Sequence, residues 1–216
     1  MIIVNINGPA GSGKDTVCEA LHTAFDMSKY VVVHMEFKEM LFEVAVRASG
    51  MTRDLWDSFY DRAYKEEPNP FLMINGKNVS PRQWMIHCSE SVMKPIFGED
   101  VFGQAFAKKI AELNEEVNTS LVDRELAIVV SDGGFLDESL PVIDYVGQDN
   151  YFLIRLHRLK PDGTEYTFAG DSRRYLYAKE FPFGSIPHET DVLNVEGEIL
   201  ETAQKIVDFV EGINGI

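Results

Sequence analysis

Apolar residues fall along this chain in two rhythms. Residues 1–7 (MIIVNIN), 30–34, 126–131 (LAIVVS) and 151–157 (YFLIRLH) are short β-branched and aromatic runs with little polar interruption. Such runs predict strands buried on both faces, and 191–195 is a fifth candidate. Between them lie longer amphipathic stretches at 14–25, 37–48, 53–64, 100–117, 136–145 and 198–211; in the second, Met40, Leu41, Val44 and Ala45 share one helical face. Ser80 before Pro81 joins a capping hydroxyl to a proline at the first helical position, so another helix is expected from there toward Lys94. Asn75-Gly76 between 71–74 and 77–79 predicts a tight hairpin. Strands alternating with helices predict an α/β protein: a predominantly parallel sheet covered on both faces, a three-layer α/β/α fold. The 216 residues fit one domain, 1–216, with a helical and hairpin region at about 50–118. The stretch 159–188, rich in Gly, Pro, Arg and aromatic residues, is too long for an idle loop and is expected to act as a lid.

The first strand runs directly into Gly8-Pro9-Ala10-Gly11-Ser12-Gly13-Lys14-Asp15-Thr16, a Gly-x4-Gly-Lys sequence leading into a helix. Glycines let successive N–H groups face inward, the helix end adds partial positive charge, and Lys14 adds a point charge for phosphates. Gly8, Ala10, Gly11, Ser12, Gly13, Lys14, Asp15 and Thr16 are therefore the expected ATP-binding residues of a P-loop NTPase fold. Asp15 stands where Ser or Thr usually offers a hydroxyl to Mg²⁺. Three readings follow: Thr16 takes the metal, Asp15 takes it, or Asp15 only favours the helix dipole.

Composition narrows the partners. Twenty Lys+Arg against 35 Asp+Glu give a net charge of -15, which opposes stable binding to nucleic acid and leaves small anions to local basic pockets. Cys18 and Cys88 form no spaced metal motif and are expected to be reduced and buried. The five histidines have no ligand-like spacing and receive no catalytic role. No apolar run approaches the ~20 residues that span a bilayer, so no membrane association and a cytoplasmic location are expected. Subunit number is open, a homodimer included.

The Gly-Ser-Gly-Lys-Asp-Thr loop, Phe37-Lys38 at the start of the second helix, and Ser80-Pro81-Arg82-Gln83-Trp84-Met85 resemble the deoxynucleoside monophosphate kinases of bacteriophages. Val129-Val130-Ser131-Asp132-Gly133-Gly134-Phe135 with Glu138 is similar to that family's strand ending in Asp and leading to a Glu; Gly134 stands where the family usually carries arginine. The resemblance implies ATP as donor, Mg²⁺, a deoxynucleoside monophosphate as acceptor, and a location in the host cytoplasm. Other acceptors remain open, a modified base in DNA or another small phosphorylated metabolite, as does a nucleotide-dependent switch without an acceptor.

Phosphoryl transfer needs positioned cations rather than a covalent nucleophile. Arg82, in the first turn of a capped helix, is the expected acceptor-phosphate ligand, with Lys38 and Trp84 beside it as substrate-binding residues. Asp132, at a strand end, is a candidate for Mg²⁺ or water, with a loop-capping role as the alternative. Arg173 and Arg174, within Gly170-Asp171-Ser172-Arg173-Arg174-Tyr175, are expected on the donor side of the lid, unless they merely stack on Tyr175 and Tyr177. Trp84, Phe97, Phe102 and Phe106 could include a base-stacking face or belong to the core. Lys14, Arg82, Asp132, Arg173 and Arg174 are thus the expected catalytic set.

Overall fold

The computed structural model describes residues 1–61, 63–119, 123–170, 173–182 and 188–214. Five parallel strands, β1 (Ile2–Asn7), β2 (Tyr30–Met35), β5 (Glu125–Val130), β6 (Tyr151–His157) and β7 (His188–Leu193), form one sheet in the order β2-β5-β1-β6-β7. Burial explains the order. Every residue of β1 is buried and nearly every residue of β5 and β6, whereas β2 is half-exposed and β7 alternates. Continuous apolar strands take the centre, and those with polar positions take the edges.

Side-chain alternation sends Ile2, Val4 and Ile6 to one face, where Val17 and Leu21 of α1 (Lys14–Ala24) and Ile206 and Val210 of α8 (Ile199–Asn214) cover them. Ile3, Ile128 and Leu153 point the other way, against Phe106 and Ile110 of α6 (Val101–Thr119) and Val142 and Ile143 of α7 (Leu136–Val146). The sheet is therefore helix-covered on both faces.

A third core joins Ala45 and Val46 of α2 (Glu39–Ser49), Trp56 of α3 (Arg53–Phe59), Leu72 of β3 (Asn69–Ile74) and Met85 of α4 (Pro81–Ile86). β3 pairs antiparallel with β4 (Lys77–Val79), and the turn between them has Asn75 at φ 51° and Gly76 at φ 77°, the left-handed pair that a two-residue hairpin requires. Ser80 caps α4 and reciprocates with Gln83 in a capping box. That helix does not stay α-helical to its end: His87–Met93 is a π segment, closed by the Lys94 N–H bonding Ser89 O, before α5 (Lys94–Phe97). Pro95 next to this closure lacks the N–H that regular winding would use.

Three boundaries depart from the pattern-based reading. α2 starts at Glu39, because Phe37 and Lys38 are held by Asp132; α3 ends at Phe59; β7 begins at His188, three residues early, because its alternating pattern hides an edge strand. Among the described residues, no helix is long and apolar enough to cross a membrane.

Candidate functional site

Because all five strands of the main sheet are parallel, their carboxyl ends share one edge, and the loops leaving β1, β2 and β5 converge there. The loop after β1 is tightly built. Gly11 and Gly13 have φ of 87° and 88°, and a Cβ on Gly8 would lie 2.7 Å from Leu156 O, so larger residues would be strained or obstructed at all three positions. Asn194, just past β7, donates Nδ2 to Ser12 O at 2.8 Å. Lys14 donates Nζ to Pro9 O at 2.8 Å and is buried. Among the described residues Ser12 Oγ, which is buried, has no hydrogen-bond partner, an orphan that a phosphate oxygen or its water would satisfy.

Asp15 is exposed beside this loop. His34 and Glu36 come from the end of β2, and ligand atoms of the three lie within 4.8 Å of one another. His34 Nε2 is 2.9 Å from Ser131 Oγ, and Glu36 Oε1 accepts from Lys38 Nζ at 2.6 Å. Two carboxylates suit Mg²⁺, which keeps part of its water shell, and the imidazole adds a softer donor. Thr16, next to Asp15 in the chain, lines a cavity of about 120 Å³ with Gly13, Arg158 and Asn194. Asp132 is not part of the Asp15, His34 and Glu36 group. Its two oxygens accept the backbone N–H groups of Phe37 (2.8 Å) and Lys38 (3.0 Å), which fixes the turn from β2 into α2. Burial raises the Asp132 carboxyl above the usual range, against the charge of Lys38 and these two bonds.

Beyond Asp132 opens a cavity of about 260 Å³ whose lining includes Lys38, Tyr60, Lys65, Arg82, Lys94, Phe102, Phe135, Glu138 and Arg173. Burial alone would lower the Lys38 ammonium, but Asp132 and Glu36 outweigh it and hold it above its ordinary value. Burial, with Glu66, raises the Tyr60 phenol while the charges of Lys38, Arg82 and Arg173 oppose the rise. Five Lys and Arg side chains around one small space, against Glu90, Asp132 and Glu138, make a local anion trap in a chain of net charge -15.

Arg173 stands on the same wall as Arg82, and its stem crosses Gly134: a Cβ there would meet Arg173 Cβ, Cγ and Cδ at 2.9 to 3.0 Å. Arg174 turns away, its guanidinium on Glu180 at 2.6 Å. The segment carrying them is anchored. Asn7 accepts the Leu176 N–H at 2.8 Å and donates to Arg174 O at 3.0 Å, while Arg155 bonds Leu176 O, Glu189 and Asp191. Asp171 and Ser172 of the expected lid, and its residues 183–187, lie outside the described residues.

Trp84 is half-buried and donates Nε1 to Ala45 O at 3.0 Å, away from the cavity lining. Phe106 is core, Phe97 is exposed, and Phe102 belongs to both core and cavity. Sequence reasoning missed His34 and Glu36, although their place at a strand end was a usable signal, and it brought in Glu138 only through the family resemblance. Lys65 and Lys94 carried no local signal; the fold alone brings them to the cavity.

No protein-family model matches the chain, and no curated protein matches it.

Proposed function

We propose that this protein is an ATP-dependent kinase of deoxynucleoside monophosphates, producing the diphosphate. The observation that carries the reading is the cation-lined cavity beside Asp132, at the sheet edge that also holds the Gly8–Lys14 loop. Two anion sites on one edge suit transfer between two phosphorylated substrates, whereas a nucleotide switch needs only the first. The loop fits the triphosphate: backbone N–H groups and Lys14 neutralise its charge, and Asn194 braces the turn. The cavity near Thr16, Arg158 and Asn194 leaves space for the remainder of the donor.

In the acceptor cavity, Arg82 and Lys38 bind and orient the monophosphate, and Arg173 completes the positive wall. Asp132 holds Lys38 and its loop in place, a positioning role rather than a metal-binding one. Asp15, with Glu36 and His34, would hold Mg²⁺, which when bound shields phosphate charge. The acceptor phosphate oxygen forms a bond to the γ-phosphorus as the bond to the β–γ bridging oxygen breaks; Lys14 stabilises the oxygens of the transferring group. ADP and a deoxynucleoside diphosphate leave.

The test is incubation of the purified protein with ATP, Mg²⁺ and each deoxynucleoside monophosphate, with separation of the nucleotides. Diphosphate formed in step with ADP is expected. ADP released with no monophosphate consumed would overturn the reading in favour of a nucleotide hydrolase or switch.

A further inference from the structure

The charged groups of the cavity wall mostly have partners: Lys38 pairs with Glu36, Arg82 with Glu66, Lys94 with Glu90, and Asp132 accepts two backbone N–H groups. Glu138 differs. It is 8% exposed, and among the described residues its carboxyl has no hydrogen-bond partner. Its oxygens are not sealed from the cavity they line, so water or a bound ligand is what reaches them there.

The position is enforced. On α7, Glu138 shares the buried stripe with Ser139, Val142 and Ile143, while neighbouring Asp137 is exposed. Gly103 of α6 lets the helices close until a Cβ there would lie 2.3 Å from Glu138 O, which locks the start of α7. An inward carboxyl on a rigid turn, between Phe102 and Phe135, is a preorganised reading head. Lys38 and Arg82 act on Tyr60 and form the phosphate end of the cavity, whereas Asp132, Lys94, Arg173 and Glu90 are the charges that act on Glu138.

We propose that Glu138 reads the base of the acceptor nucleotide, pairing with a Watson–Crick edge that sets a ring-nitrogen acceptor beside an exocyclic amino group, as those of cytosine and adenine do. The inference rests on the kinase reading and adds the class of base. Burial, reinforced by Asp132 and Glu90 and opposed by Lys94 and Arg173, pushes the carboxyl up to about 8, which favours its protonated form. α6 faces it with Phe102 and Gly103, which bring no charge. A protonated carboxyl offers one donor and one acceptor side by side. A ring nitrogen takes the O–H while the amino group donates to the carbonyl oxygen; on their Watson–Crick edges guanine and thymine place a ring N–H there and offer the O–H only a carbonyl oxygen, a weaker acceptor.

Calorimetric titration at pH 7 with dAMP, dCMP, dGMP, dTMP and base-free deoxyribose 5-phosphate separates base from phosphate without requiring turnover. Wild type should bind dCMP or dAMP about tenfold or more tightly than dGMP and dTMP. Glu138→Leu should erase that preference and leave deoxyribose 5-phosphate bound as in wild type. Glu138→Gln, which retains a donor beside an acceptor, should keep the preference, and Arg82→Ala should weaken all five ligands alike. A folded Glu138→Leu with the wild-type ranking, or a wild type that ranks dGMP or dTMP first, overturns the inference and leaves the kinase reading standing. Absence of any monophosphate binding overturns both. Glu138→Asp, which withdraws the carboxyl by one methylene, gives the same two outcomes if the leucine variant does not fold.

Discussion

Lys14 sits on the Pro9 carbonyl inside its own loop, so its charge is held at the sheet edge before any ligand arrives. Lys14→Ala should lower kcat by about 100-fold or more at an unchanged melting temperature, because the lost cation acts mainly on charge developing in transfer. The three arginines should separate by position. Arg82→Ala and Arg173→Ala should each raise the monophosphate KM about tenfold, the loss of one charge-assisted contact, with the ATP KM little changed. Arg174→Ala, whose side chain serves Glu180, should leave both constants near wild type; steady-state kinetics varying each substrate decides among them. Glu138 gives a prediction in stability. Its folded-state value of about 8 exceeds the ordinary 4.5, so between these the folded protein binds more protons and stability falls as pH rises. Glu138→Gln lacks that slope, and urea unfolding at pH 5 and pH 8 should show the variant gaining on wild type at the higher pH.

Among the elements, the sequence reading was most complete where one local rule decides. The buried parallel strands, the glycine loop and the Asn75-Gly76 turn are written in adjacent residues, and each lies where the pattern placed it. Edge strand β7 was harder, because exposure on one side gives it polar residues that resemble a loop. The helix after Ser80 was legible at its start, where hydroxyl and proline act locally, but not in its π segment, which depends on packing around Ser89 and Pro95. The site divides in the same way. Its glycine loop is contiguous, whereas the cavity assembles Lys38, Lys65, Arg82, Lys94 and Arg173 from well-separated stretches, and no spacing rule joins them. The cap itself is testable: Ser80→Ala should cost about 1 kcal/mol in chemical denaturation and loosen the first turn that carries Arg82.

At the scale of the whole molecule, Asn7 bonds Arg174 O and Leu176 N–H and Arg155 bonds Leu176 O, which ties the backbone beside Arg173 to the sheet. The Arg173 stem fills the space over Gly134, and the Gly134 backbone does not need the left-handed conformation reserved for glycine. Gly134→Arg alone should therefore crowd the cavity and lower both stability and monophosphate affinity. Combined with Arg173→Gly, it should recover much of the affinity by delivering a guanidinium from the opposite side; a double-mutant cycle in which the two effects simply add would exclude that exchange. Positions 134 and 173 thus form one steric unit, and what either can hold depends on what its counterpart carries.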